Sequence, residues 1–106
     1  MSLLKVLGLS LVEIIGDYGA KQFANFGGLQ NLGIGVFGYI GVFISLVFNL
    51  KGSTLLMVNN AWDGVSTLLE SLFAFFILGE RFKSNSQYLG IPLIIAGIYL
   101  LKIPLL

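Results

Sequence analysis

The sequence predicts an all-α membrane protein built as a bundle of four transmembrane helices. The chain is 57% hydrophobic and only 10% charged, with a mean hydropathy of +0.95, whereas soluble domains are about 25% charged. Its 106 residues divide into four apolar stretches, and a helical span needs roughly 20 apolar residues. The stretches are continuous and do not alternate in polarity, which favours helices over the strands of a membrane barrel.

The first two predicted spans cover residues 2–23 and 29–48. The first carries acidic residues and lacks a small-residue cleavage pattern, so we expect a retained span and not a signal peptide. A turn containing Gly and Asn, residues 24–28, separates it from the second. The second span is almost free of polar side chains and is rich in glycine, which allows another helix backbone to approach closely.

The third and fourth predicted spans cover residues 54–78 and 87–101. A break at residues 49–53 precedes the third span, which carries most of the buried polarity. The longest polar run of the chain, residues 79–86, separates the third span from the fourth. The four spans use the whole length, so we expect one transmembrane domain, residues 1–106, with no soluble domain beside it.

Acidic residues lie inside the apolar stretches, and the basic residues lie at their ends. The four acids in question are Glu13, Asp17, Asp63 and Glu70. A carboxylate in hydrocarbon costs several kcal/mol, so such a residue usually has a function. Cysteine and histidine are absent, which excludes disulfides, thiol chemistry and histidine metal sites. The net charge of +1 comes without a basic patch, which argues against a nucleic-acid partner.

The basic residues are distributed evenly between the two sides of the membrane. Antiparallel spans place three bases on each side, namely Lys5, Lys51 and Lys102 on one side and Lys21, Arg81 and Lys83 on the other. Helical proteins are oriented by an asymmetry in Lys and Arg. The balance permits insertion in both directions, and therefore an antiparallel dimer of identical chains. The alternative is that six charges balance by chance.

Two carboxylates on the first span predict a site that binds protons and cations. Glu13 and Asp17 are four residues apart and so share one helix face. Two such groups cannot both ionise cheaply in a low dielectric, so we expect a proton to remain until a cation displaces it. For Asp17 the alternative is an ion pair with Lys21, again four residues away. Glu13 has no local base, which favours a functional role.

A polar stripe on the third span predicts a wet cavity. Asn59, Asp63, Ser66 and Glu70 recur at helical spacing, and such stripes in membrane helices face the bundle interior or water. Trp62 lies beside the stripe, and an aromatic face next to a carboxylate favours a cation. The alternatives are that the stripe joins helices by hydrogen bonds and that Trp62 simply packs.

The second and fourth spans contribute smaller features. Tyr39 adds a hydroxyl to an otherwise apolar second span. Gly90 and Gly97, with Ile94 between them, form a smooth groove on the fourth span that predicts a helix-packing seam. Spacing alone leaves open whether the seam joins two chains or two helices of one chain.

In this order and spacing the residues resemble the small multidrug resistance transporter family over nearly the whole chain. The matching features are Glu13-Ile14-Ile15-Gly16 with Lys21, Tyr39, Ala61-Trp62 followed by Gly64-Val65, Gly79-Glu80-Arg81-Phe82, and the Gly90/Gly97 pair. The resemblance implies a dual-topology antiparallel homodimer that exchanges protons for cationic substrates, and we expect it in the plasma or inner membrane. It implies that Glu13 binds proton and substrate in turn. It also implies that Tyr39 and Trp62 line the cavity and that Gly90 and Gly97 form the dimer seam.

The chain departs from the family pattern at several positions in the expected site. Asn59 occupies a position where the drug exporters of the family usually have tyrosine, and Ser66 replaces the second glycine of a Gly-Val-Gly segment. Asp17, Asp63 and Glu70 are additional acids. The site is therefore expected to be more polar and more negatively charged than a site that binds hydrophobic aromatic cations. This favours small or multiply charged hydrophilic substrates of the guanidinium or polyamine type over multidrug cations.

Other functions remain as alternatives. The chain could be a membrane scaffold or assembly subunit that keeps the four-helix fold, or it could pair with a second, different chain. A lipid-headgroup flippase is a weaker alternative, because such a protein needs buried bases for phosphate and this chain buries none. No nucleophile–base pair or metal-ligand cluster suggests an enzyme, so we expect no catalytic residue, metal or cofactor.

Overall fold

The computed structural model describes all 106 residues and contains helices but no strands. The helices are α1 (Leu3–Phe26), α2 (Leu29–Leu50), α3 (Leu55–Phe76), α4 (Asn85–Tyr88) and α5 (Gly90–Leu101). The predicted all-α class is confirmed. At 1.5 Å per residue, α1 is about 36 Å long and α2 and α3 are each about 33 Å long.

Short polar side chains begin two of the long helices, and a glycine ends the first. The Ser2 hydroxyl accepts from the Lys5 N–H at 3.2 Å, and the Thr54 hydroxyl accepts from the Met57 N–H at 3.1 Å. Each hydroxyl satisfies one of the amide groups that a helix start leaves without a partner. Gly27 ends α1 with φ at 69°, a conformation that only glycine adopts without cost.

The region of the fourth predicted span is helical. Residues 87–101 are predicted to form one span, and the structure has the single turn α4 followed by α5, joined at Leu89, whose φ of −66° and ψ of −20° are helical. The hydrogen bonding is irregular at this joint, since Pro92 has no N–H to donate to the carbonyl of Tyr88 one turn earlier. Residues 85–101 together extend about 25 Å, which is shorter than the roughly 30 Å hydrocarbon core.

Among these helices, only α2 is both long enough and apolar enough to cross a membrane by length and composition. α1 is longer than α2 but carries Glu13, Asp17 and Lys21 among its apolar residues. α3 matches α2 in length but carries Asp63 and Glu70. The residues that predict a functional site are thus the same residues that lower the hydropathy of the helices bearing them.

The long helices form a row in the order α2, α1, α3, α5. α1 packs against α2 on one side and α3 on the other, whereas α5 packs on α3. The molecule is accordingly flat, measuring 40 × 36 × 18 Å. Only 14 of 106 residues are buried, and many large apolar side chains are exposed on the four longer helices. The two broad faces therefore need lipid or another chain to cover them.

Glycines allow the α1 and α2 backbones to touch. A Cβ added to Gly19 would lie 2.8 Å from Gly35 Cα, and one added to Gly38 would lie 3.1 Å from the carbonyl carbon of Ile15 and would overlap the Gly16 backbone. Helices in membranes associate closely through such small residues. This contact fixes Tyr39, the residue after Gly38, against the middle of α1.

α1 and α3 run in the same direction. Near the start of α1, Val6 packs with Ala61 and Val65 in the buried core of the chain. Further along, the ring of Tyr18 meets that of Phe73 edge to face at 5.9 Å. This register brings the middle of α1, where the acidic residues lie, beside the second half of α3.

Candidate functional site: a carboxylate cluster between helices

Three carboxylates from α1 and α3 converge at the centre of the row. Glu13, Asp17 and Glu70 each contribute an oxygen that lies within 4.8 Å of the other two, and all three residues are half-buried. Helical spacing aligns Glu13 with Asp17, and the parallel packing of α3 supplies Glu70. We call these three residues the carboxylate cluster.

α2 supplies a hydrogen-bond donor to the cluster. The Tyr39 hydroxyl donates to Asp17 Oδ1. The predicted binding residue Tyr39 is therefore in direct contact with the predicted binding residue Asp17. Its ring also lines an apolar groove of about 600 Å³ between α1 and α2, which none of the carboxylates lines.

Two further residues of α3 lie next to Glu13. Ser66, which is 7% exposed, and Trp62 lie beside the Glu13 carboxylate. The Trp62 indole nitrogen is buried without a hydrogen-bond acceptor, and Glu70 Oε1 is buried without a donor. The Trp62 indole N–H and the Glu70 carboxylate oxygen are therefore each able to form one more hydrogen bond.

No lysine or arginine neutralises the cluster. The alternative that Lys21 pairs with Asp17 is not realised, because Lys21 forms its ion pair with Glu80. The cluster therefore holds up to three negative charges with Tyr39 as its hydrogen-bond donor. Carboxylates this close repel one another in a low dielectric, so a proton or another cation between them lowers the energy of the site.

The remaining residues of the predicted stripe lie at its edges. Asp63 is exposed and lines a separate cavity of about 460 Å³ between α3 and α5. Asn59 is exposed, and its side chain makes no hydrogen bond. The structure thus divides the stripe, with Ser66 turned to α1 and Asp63 turned to α5.

The predicted seam residues lie on α5. Ile94 and Gly97 line the same cavity as Asp63. A Cβ added to Gly90 or Gly97 would meet nothing within 4 Å. Packing inside this chain therefore does not require glycine at either position.

Glu70 was not among the residues predicted to bind, although the sequence places it on the polar stripe. Its spacing of four from Ser66 and seven from Asp63 puts it on that stripe. What the spacing could not reveal is the parallel register of α1 and α3, which is needed to bring Glu70 beside Asp17. That register depends on packing between residues more than fifty positions apart.

The sequence is similar to bacterial proteins named as multidrug transporters. Multidrug resistance protein EbrB of Bacillus atrophaeus is 30% identical over 97 residues, which are 91% of this chain and 82% of that protein. Multidrug transporter PA4990 of Pseudomonas aeruginosa is 32% identical over 91 residues, which are 86% of this chain and 82% of that protein. Multidrug resistance protein EbrB of Bacillus subtilis is 29% identical over 97 residues.

No family model matches the chain, and no solved structure gives a significant match. The similarity to the multidrug transporters nevertheless runs through most of this chain and most of each relative. It agrees with an all-helical, strongly apolar molecule in which three acidic residues meet between α1 and α3. The chain is a membrane protein and belongs to the small multidrug resistance transporter family.

Proposed function

We propose that this chain is a multi-pass membrane transporter that exports small cationic compounds in exchange for protons. The observation that carries the proposal is the carboxylate cluster, in which Glu13, Asp17 and Glu70 converge without a neutralising base. The names of the relatives support transport of drug-like compounds. Proton coupling and the nature of the cargo are our inference from the chemistry of the cluster.

The exchange follows from competition for one negative site. When no cargo is bound, protons reduce the repulsion among the carboxylates. A cation that enters between them supplies the same positive charge, so a proton leaves for each positive charge that the cargo brings. Glu13 is the residue best suited to this exchange, because Trp62, Ser66 and Asp17 all lie beside its carboxylate.

The polarity of the site favours hydrophilic cargo. Three carboxylates match a guanidinium-type or polyamine-type cation, whose N–H groups can donate to several oxygens at once. The indole of Trp62 offers an aromatic surface beside Glu13 for the same cation. Bulky aromatic cations are the second class of cargo, which the names of the relatives favour.

The functional unit that we propose is an antiparallel homodimer in the plasma or inner membrane. A flat molecule with 14 buried residues leaves its acidic side partly uncovered, and a second copy would shield it from lipid. The even division of basic residues between the two sides permits both orientations. Gly90, Ile94 and Gly97 are the proposed contact, consistent with the open space around both glycines.

Proton release on cation addition tests the proposal. We expect purified protein in weakly buffered detergent to release protons when guanidinium, spermidine or tetraphenylphosphonium is added, and to release none with sodium at equal concentration. Glu13→Gln should abolish the release, because it removes the exchanging carboxylate while keeping a similar shape. If none of the three cations binds the wild-type protein, the scaffold alternative replaces transport.

A further inference from the structure

The end of α1 carries a base that could reach the carboxylate cluster but is held elsewhere. Lys21 follows Asp17 by four residues, a spacing that places the two Cβ atoms about 5–6 Å apart on a helix. The structure nevertheless pairs the Lys21 ammonium with Glu80, from the loop after α3. Asp17 instead accepts a hydrogen bond from the Tyr39 hydroxyl.

Both possible partners of Lys21 line one small cavity. This cavity of about 170 Å³ is bordered by Asp17, Lys21, Glu70 and Glu80, together with apolar residues of α1 and α3. A lysine side chain is flexible enough to turn within such a space. Which carboxylate holds Lys21 is therefore decided by which anions the cavity offers.

The backbone fixes Glu80 at the loop end of the cavity. Gly79 adopts a φ of 72°, and the Glu80 N–H donates to the Ala74 carbonyl at 3.0 Å. This arrangement is a glycine-dependent helix end, which satisfies carbonyls at the end of α3. Glu80 is thus placed opposite Lys21 by the course of the chain.

The neighbouring arginine does not compete for the Glu80 carboxylate. The Arg81 guanidinium lies 3.6 Å from the ring centre of Phe75. Its Nη1 donates to the Phe75 carbonyl at 2.7 Å and to the Glu80 carbonyl at 2.8 Å. Arg81 is therefore occupied by a ring and two backbone oxygens, which leaves the Glu80 side chain to Lys21.

We propose that Glu80 is a positioning residue that holds the Lys21 ammonium away from Asp17 and so keeps the carboxylate cluster free for cargo. The inference rests on the proposed exchange of protons and cations at that cluster. With Glu80 neutral, Asp17 and Glu70 are the anions left along the cavity, and Lys21 turns to them. A tethered ammonium then acts as a built-in cation that competes with cargo.

The size of the effect follows from the exposure of the pair. The Lys21 and Glu80 side chains are 44% and 45% exposed, so the pair has the modest strength of a surface ion pair, up to about fivefold in an equilibrium constant. Loss of that pair, followed by competition at Asp17, is expected to weaken cation binding about fivefold. Glu80 does not contact the cargo in this scheme.

The position of Lys21 can be measured without any cargo. Reductive methylation with ¹³C keeps the lysine charge and gives an NMR signal for each lysine. In Glu80→Gln protein in detergent, we expect the Lys21 signal to move, and to move again when Asp17→Asn is added. In the wild-type background, Asp17→Asn should leave it nearly unchanged. If adding Asp17→Asn to the Glu80→Gln protein does not change the chemical shift of the Lys21 signal, the proposal is overturned.

Rescue of cation binding tests the consequence for function. Using guanidinium as the probe, we expect Glu80→Gln to weaken binding about fivefold and Glu80→Gln/Lys21→Gln to restore it. Lys83→Gln, which removes a base from the same loop without touching the pair, should bind as the wild type does. Failure of the double variant to recover refutes the positioning role, whereas absence of binding by the wild-type protein counts against the proposed function itself.

Discussion

A single hydroxyl connects α2 to the carboxylate cluster. Tyr39 donates to Asp17, and hydrogen bonds to charged groups contribute about 1.5–3 kcal/mol in proteins. Tyr39 follows Gly38, whose close contact with the α1 backbone places the start of the tyrosine side chain beside α1. The tyrosine therefore orients one of the carboxylates that are proposed to bind the cation.

Tyr39→Phe removes only this hydroxyl. We expect the affinity for guanidinium to fall about tenfold, since Asp17 is no longer held towards Glu13 and Glu70, while the helical content of the protein stays the same. Isothermal titration calorimetry in detergent measures the affinity, and circular dichroism checks the fold.

Tyr99→Phe is the matched control, because Tyr99 is 80% exposed on α5 and its hydroxyl makes no hydrogen bond to the protein. This variant should bind as the wild type does. Equal affinities for both variants would show that the Tyr39 hydroxyl does not support the site.

Among the elements, the contact between α1 and α2 depends most directly on residue size. Gly16 and Gly19 on α1 face Gly35 and Gly38 on α2, with the two backbones in van der Waals contact. The sequence shows glycine enrichment on the second span and so predicts a packing surface. It does not say that α1 is the partner, because glycine spacing describes one helix at a time.

Gly38→Ala should separate the two backbones. The added Cβ would lie 3.1 Å from the carbonyl carbon of Ile15 and would overlap Gly16, and overpacking of this kind costs about 1–3 kcal/mol. We expect a lower midpoint temperature of unfolding in detergent. The fluorescence of Trp62, the only tryptophan, measures the unfolding.

Gly33→Ala provides the comparison on the same helix. A Cβ at Gly33 meets nothing within 4 Å, and alanine is the better helix former by about 1 kcal/mol. This variant should unfold at the same temperature as the wild type or above it. If both alanine variants behave alike, close approach of α1 and α2 is not what Gly38 provides.

The fourth span shows what hydropathy predicts and what it leaves out. The apolar run after the polar loop predicts one helix over residues 87–101, and the structure is helical there, with helical dihedral angles also at Leu89 between α4 and α5. Pro92 lies in the first turn of α5, where proline is tolerated. Its missing N–H coincides with the irregular hydrogen bonding at Leu89. The position of a helix start depends on caps that hydropathy does not record.

For the whole molecule, the exposed edge of α5 has the strongest consequence. α5 contains no buried residue and packs on α3 and the short α4. Gly97 is exposed there, with free space around it. An unpartnered helix edge with small residues is the kind of surface on which membrane helices associate.

Gly97→Leu should lower the fraction of dimer without unfolding the chain. Within one chain the larger side chain has room, so any loss of association reports on contact between chains. We expect the dissociation constant in detergent to rise about tenfold or more, measured by fluorescence energy transfer between labelled chains.

Gly33→Leu places the same side chain at an equally open position on α2 and should leave the dimer intact. An unchanged dissociation constant for Gly97→Leu would move the proposed dimer contact away from α5.

The sequence predicts the helical class and most of the candidate site, but not how the site is assembled. Glu13 and Asp17 are adjacent by helix geometry alone, so their pairing is predictable. Glu70 joins them, and Lys21 turns to Glu80 in preference to Asp17, because of contacts between distant parts of the chain. Local spacing fixes what lies on one helix face, whereas the choice among several partners across helices depends on the packed structure.

Because α1 lies in the middle of the row, it is in contact with the helices on both sides. α2 and α3 both rest on α1 and meet each other only marginally, while α5 follows α3. Under the proposed transport, any tilt or slide of α1 is relayed to both edges of the row. The helix that carries the proposed cargo site is thus coupled to both of its neighbours, so we expect a change of access from one membrane face to the other to move the whole row.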